Sequence, residues 1–167
     1  MSSLEFVRCL MAAGLSVVLA WAAASDIISR RIPNRAVLAV LILFAVWAFT
    51  GGRQDLVSSL IAGGVAFAIG YGLYAFGVMG AGDVKLFAAV ALFAGLSHLS
   101  IFALATVLSG GAMAVVSLAT RPRRAAVMFA LRGKGDFGRG IPYGVAIAFG
   151  GAYMVWGALM GVLPLPD

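Results

Sequence analysis

The sequence consists of long apolar runs separated by short polar or glycine-rich breaks. The runs predict six helices, with these approximate bounds: Leu4 to Ala24, Ala36 to Thr50, Leu56 to Val78, Val84 to Gly95, Leu99 to Ala119 and Ile141 to Leu163. A helix needs about 20 mostly apolar residues to cross the hydrocarbon core of a bilayer. The second and fourth runs are shorter than that, and the other four reach it. The pattern predicts an all-α polytopic membrane protein with about six transmembrane helices.

The composition supports a lipid environment. Hydrophobic residues make up 63% of the 167 positions and charged residues 11%. Soluble domains contain about 45–50% apolar residues and about 25% charged residues. So few charged side chains cannot cover the surface of a small soluble domain. We therefore expect residues 1–167 to form a single membrane-embedded domain, without a separate soluble domain.

The basic residues predict the orientation in the membrane. Most of them fall in alternate breaks between the apolar runs: Arg30, Arg31, Arg35, Lys85, Arg121, Arg123, Arg124, Arg132, Lys134 and Arg139. Lys and Arg concentrate in cytoplasmic loops, so we expect these breaks inside the cell and both termini on the outer, periplasmic side. The net charge of +6 is then a feature of membrane orientation and lipid contact, and we expect no nucleic-acid partner.

Two acidic residues are expected at the cytoplasmic membrane boundary on different helices. Asp26 follows the first apolar run, and Asp83 begins the fourth after a glycine-rich break. Ionisable groups near the membrane interior are costly and usually functional, so the two carboxyl groups are candidates for a pair. Asp136 is the third acid on this side, but it lies among glycines and basic residues, and we expect it to be solvated in a loop.

Three segments carry a resemblance to a known family. Gly80-Ala81-Gly82-Asp83, with Lys85 two positions later, resembles the GxGD motif of the type IV prepilin peptidases. Asp26 followed by Ile32-Pro33-Asn34 is similar to the first catalytic-aspartate segment of that family, and Ile141-Pro142-Tyr143-Gly144 is a third match. The sequence has neither the paired cysteines nor the extra domain of the long members. It therefore looks like the short form associated with Flp, or tight-adherence, pili.

The resemblance implies an aspartic endopeptidase of the bacterial inner membrane that removes the short basic leader of prepilins at the cytoplasmic face. It implies Asp26 and Asp83 as catalytic residues, a prepilin or pseudopilin as substrate, and the pilus assembly machinery as a partner. The same motifs indicate substrate-binding or site-shaping positions: Pro33, Asn34, Gly80, Gly82, Lys85, Pro142, Tyr143 and Gly144.

The chemistry also follows from the residue types. Two carboxyl groups that share a proton can hydrolyse a peptide without a metal, one as a general base on water and the other as a general acid. No cluster has metal-ligand spacing, and we expect no cofactor. His98 is expected at the outer membrane interface, away from the aspartates. The alternative function is a small transporter that uses the same aspartates to relay protons or cations, and a third is a noncatalytic assembly subunit.

Overall fold

The computed structural model describes residues 3–50, 55–120 and 142–163. This part of the chain contains α-helices and their connections and no β-strand. The helices are α1 (Ser3–Ser29), α2 (Asn34–Phe49), α3 (Leu56–Ala75), α4 (Ala81–Thr120) and α5 (Tyr143–Leu159). The expectation of an all-helical fold is confirmed. The basic loop around residues 121–141, with Asp136, lies outside the described residues.

Three of the helices have the length and apolar composition needed to cross a membrane. The spanning segments are Glu5–Ser29 in α1, Leu56–Ala75 in α3 and Ala81–Ser117 in α4. Helices α2 and α5 are apolar but shorter. The chain is therefore a helical membrane protein, while the number of six spans and the side on which the termini lie stay predictions.

Two helix boundaries differ from the sequence prediction in a way that bears on the aspartates. Helix α1 continues beyond Ala24 to Ser29, and α4 begins at Ala81, before Val84. Asp26 consequently lies in the last turn of α1, and Asp83 lies in the first turn of α4. The prediction ended each helix where the apolar run ended, but polar residues at a helix end keep their backbone hydrogen bonds and need not terminate it.

Helix α4 is interrupted at Gly95, which separates a first arm, residues 81–94, from a second arm, residues 96–120. Gly95 has φ 61° and ψ −177°, a backbone conformation that is essentially restricted to glycine. The backbone N–H of Leu96 donates to Ser58 Oγ on α3 at 2.9 Å. This bond gives a partner to an N–H group at the start of the second arm, where backbone N–H groups have no partner within the helix. The two arms correspond to the predicted fourth and fifth helices.

Gly95→Ala is therefore expected to destabilise the protein. A side chain in this backbone region costs roughly 1–3 kcal/mol, and the free energy of unfolding in detergent should fall by that amount. Gly64→Ala is the matched control, because a Cβ at Gly64 meets no atom within 4 Å. Equal stability of the two variants would contradict the argument.

The helices pack around α4, which contacts α2, α3 and α5, while α1 packs on α2 and α5. The buried core contains side chains of α1, α2, α4 and α5, such as Leu19, Val40, Phe93 and Ile147. Many large apolar side chains on the outer faces are exposed, as expected for a surface in contact with lipid. This packing brings the end of α1 and the beginnings of α4 and α5 together, and we call this the aspartate end of the bundle.

Candidate active site

Asp83 lies in the first turn of α4, and its backbone surroundings hold the carboxyl group. The N–H of Gly80 donates to Asp83 Oδ2 at 3.3 Å, which is the geometry of an acidic side chain that reaches back to cap its own helix. Asp83 is 9% exposed. A Cβ at Gly80 would lie 2.8 Å from Asp83 Oδ2, so a larger residue at position 80 would displace the carboxyl group.

Asp26 lies one turn before the end of α1 and is held by a different helix. The N–H of Gly144, at the start of α5, donates to Asp26 Oδ2 at 2.8 Å. The first N–H groups of a helix have no partner within it and carry the positive end of the helix dipole. Asp26, which is 6% exposed, therefore caps α5 from outside that helix. A Cβ at Gly144 would lie 3.0 Å from both Cβ and Oδ2 of Asp26.

The two carboxyl groups lie close enough for their charges to repel each other. Each has Oδ2 fixed by one backbone N–H group. Within the described ranges, no hydrogen bond reaches Oδ1 of either residue, so one oxygen of each carboxyl group is available to a water molecule or a substrate. Two neighbouring buried carboxyl groups favour a state in which one of them keeps its proton, because two like charges out of water are costly.

The turn between α1 and α2 packs directly against this pair. A Cβ at Gly82 would lie 3.2 Å from Ile32 Cβ, so the absence of a side chain at position 82 permits the close approach. Arg30, which directly follows α1, has φ 54°, and its charge attracts that of Asp26. Arg30 and Ile32 are not among the site residues predicted from the sequence. The available signal was their position between Asp26 and Pro33.

The remaining predicted site residues lie around the aspartate end with different degrees of exposure. Pro33 is the N-cap of α2 and is partly buried, whereas Asn34, the first residue of α2, is exposed. Lys85 is also exposed. Pro142 is the N-cap of α5, and the partly buried Tyr143 lies close to Gly110 of the second arm of α4.

His98 is found elsewhere in the bundle. It lies in the second arm of α4 and is 1% exposed, so its side chain is buried inside the protein, while its position at the outer membrane interface stays a prediction. The sequence pattern did not predict this burial. The described residues contain no group of three or more His, Cys, Asp or Glu side chains that could hold a metal ion.

Comparison with known proteins agrees with this arrangement at the level of the family. The model of the type IV leader peptidase family matches residues 13–115, a segment that includes Asp26, Asp83 and the glycines before Asp83. No curated protein and no solved structure matches the chain. Since the family match covers more than half of the sequence, the chain belongs to the type IV leader peptidase family.

Proposed function

We propose that this peptidase is a membrane-embedded aspartic endopeptidase that removes the basic leader peptide of Flp-type prepilins, and that Asp26 and Asp83 activate the attacking water. The observation that carries the proposal is the meeting of two buried carboxyl groups from α1 and α4, each held by a backbone N–H group. Fixed geometry is what a catalytic pair requires, because small displacements of reacting groups are costly in rate.

The reaction follows from one proton shared between two carboxyl groups. The ionised carboxylate takes a proton from water, and the water oxygen bonds to the carbonyl carbon of the scissile peptide. The protonated carboxyl group gives its proton to the carbonyl oxygen, which produces a tetrahedral diol. When the diol collapses, one carboxyl group passes a proton to the leaving nitrogen, the other carboxylate takes a proton from a diol hydroxyl group, and the C–N bond breaks. Peptide and water become a carboxylic acid and an amine, and the pair returns to its initial charge.

The exposed charges support a cytoplasmic location for the aspartate end. Arg30, Arg31, Arg35 and Lys85 all lie at this end of the bundle and are exposed. Basic residues beside membrane helices favour the cytoplasmic side. We therefore propose a multi-pass protein of the bacterial inner membrane whose active site faces the cytoplasm, with both termini outside.

The direct test is cleavage of a purified Flp-type prepilin by the purified full-length protein in detergent. We expect two products, the basic leader and the mature pilin, identified by mass spectrometry. An intact prepilin after prolonged incubation with folded protein would contradict the proposal. Proton or cation flux through proteoliposomes, without cleavage, would instead support the transporter alternative.

Activity is expected to be insensitive to chelators and to thiol reagents. The proposed chemistry needs only water and two carboxyl groups, and Cys9 lies near the beginning of α1, far along the helix from Asp26. Cleavage rates measured with and without EDTA, and with and without a thiol-alkylating reagent, should agree. Loss of activity with EDTA and its recovery on addition of a divalent cation would contradict the metal-free mechanism.

A further inference from the structure

A second candidate site lies at the end of the bundle opposite to the aspartates. A partly open cavity of about 50 Å³ is lined there by residues of α1, α2, α4 and α5, and we call it the distal cavity. Along α1, Arg8 in its wall and Asp26 are separated by roughly 27 Å at the helical rise. That distance is close to the roughly 30 Å thickness of the hydrocarbon core, so the distal cavity lies near the other membrane face.

The wall of the distal cavity contains a buried polar atom that needs a partner. His98 lines the cavity, and its Nε2 has no hydrogen-bond partner among the described residues. Its other ring nitrogen, Nδ1, pairs with Ser97 Oγ at 3.0 Å. When the Ser97 hydroxyl donates to Nδ1, Nε2 carries the hydrogen and is a donor. Buried polar groups are nearly always satisfied, so Nε2 requires an acceptor from outside the described residues.

The charge of the distal cavity agrees with an acceptor that is also an anion. Arg8 is the one charged side chain among the described lining residues, and its guanidinium group has donors and no acceptor. His98 is also in the first turn after the break at Gly95, where backbone N–H groups at the start of the second arm favour negative charge. The charge of Arg8, the donor atom of His98 and the start of the second arm of α4 all favour the same kind of ligand group, an oxyanion.

The rest of the lining indicates where the oxyanion comes from. Apolar side chains, including Trp47, Phe93, Met154 and Leu159, form most of the wall. The volume suffices for about three to five water molecules at about 10–15 Å³ each, which fits a headgroup phosphate but not a whole lipid. We propose that the distal cavity binds the phosphate of an anionic phospholipid, whose acyl chains remain outside in the bilayer.

The test uses His98 as a reporter, because it is the single histidine of the sequence. Full-length protein labelled with ¹⁵N-histidine, in detergent, is titrated with phosphatidylglycerol. We expect the Nε2 resonance to shift and to saturate at about one lipid per protein. Arg8→Gln should weaken the apparent affinity about tenfold or more, since it removes a charge-assisted hydrogen bond. Arg35→Gln makes the same change at an exposed residue of the aspartate end and should leave the apparent affinity unaltered.

Three results would overturn the proposal. The first is the absence of a saturable shift in folded wild-type protein, which needs no variant to be informative. The second is an equal affinity for phosphatidylcholine, which would remove the requirement for an anionic lipid. The third is the same saturable shift with inorganic phosphate and no phospholipid, which would make the distal cavity a site for free phosphate.

Discussion

Asp26→Asn and Asp83→Asn are each expected to abolish leader cleavage while the protein stays folded. The amide oxygen of Asn can still accept the hydrogen bond from Gly144 or Gly80 that now holds the carboxyl group. An amide cannot take a proton from water or share one with a second carboxyl group. In catalytic units of this kind, removing one member costs about 10⁴-fold or more in rate. Cleavage of a purified prepilin measures the effect.

Asp55→Asn provides the matched control for both variants. Asp55 is exposed, and its carboxyl group caps α3 through the N–H of Ser58 at 2.9 Å. Asn caps helices about as well as Asp, so this change removes a carboxyl group without loosening a helix. Normal cleavage by Asp55→Asn beside two inactive variants would support the pair, whereas substantial cleavage by Asp26→Asn or Asp83→Asn would exclude it.

Gly144→Ala is expected to lower kcat/KM by roughly 10–100-fold, the scale of loss for a displacement of about 1 Å in a catalytic group. The added methyl group would lie 3.0 Å from Asp26 Cβ and Oδ2, tighter than ordinary contact. Asp26 would have to move away from the N–H group that positions it. Alanine favours helices over glycine by about 1 kcal/mol, so the fold itself should not be weakened.

The control for Gly144→Ala is Gly64→Ala on α3, where a Cβ has open space. Both changes add one methyl group to a glycine within a helix, but only one adds it beside a carboxyl group. We expect Gly64→Ala to cleave at the wild-type rate. Full activity of Gly144→Ala, with the variant shown to be folded by circular dichroism, would mean that the contact between α5 and Asp26 does not position the pair.

The glycines before Asp83 illustrate what local pattern could predict at the site. Glycines permit another backbone to approach closely, and Gly82 does lie against Ile32 of the turn between α1 and α2. The sequence could not predict that the turn between α1 and α2 would be the neighbour, because a glycine allows close approach of any segment and does not select one. Similarly, Pro142 and Tyr143 indicated a helix beginning, but not that its free N–H groups would hold Asp26.

The sequence by itself determined the helical membrane fold, because the length and apolar character of each run depend only on neighbouring residues and on the surrounding lipid. It also indicated Asp26 and Asp83, since acids at the ends of apolar runs are uncommon. Only the tertiary structure decided that Gly144 holds Asp26, and that the buried His98 lines the same cavity as Arg8. These features depend on packing between helices and on the backbone angle at Gly95, which residues distant in sequence determine together.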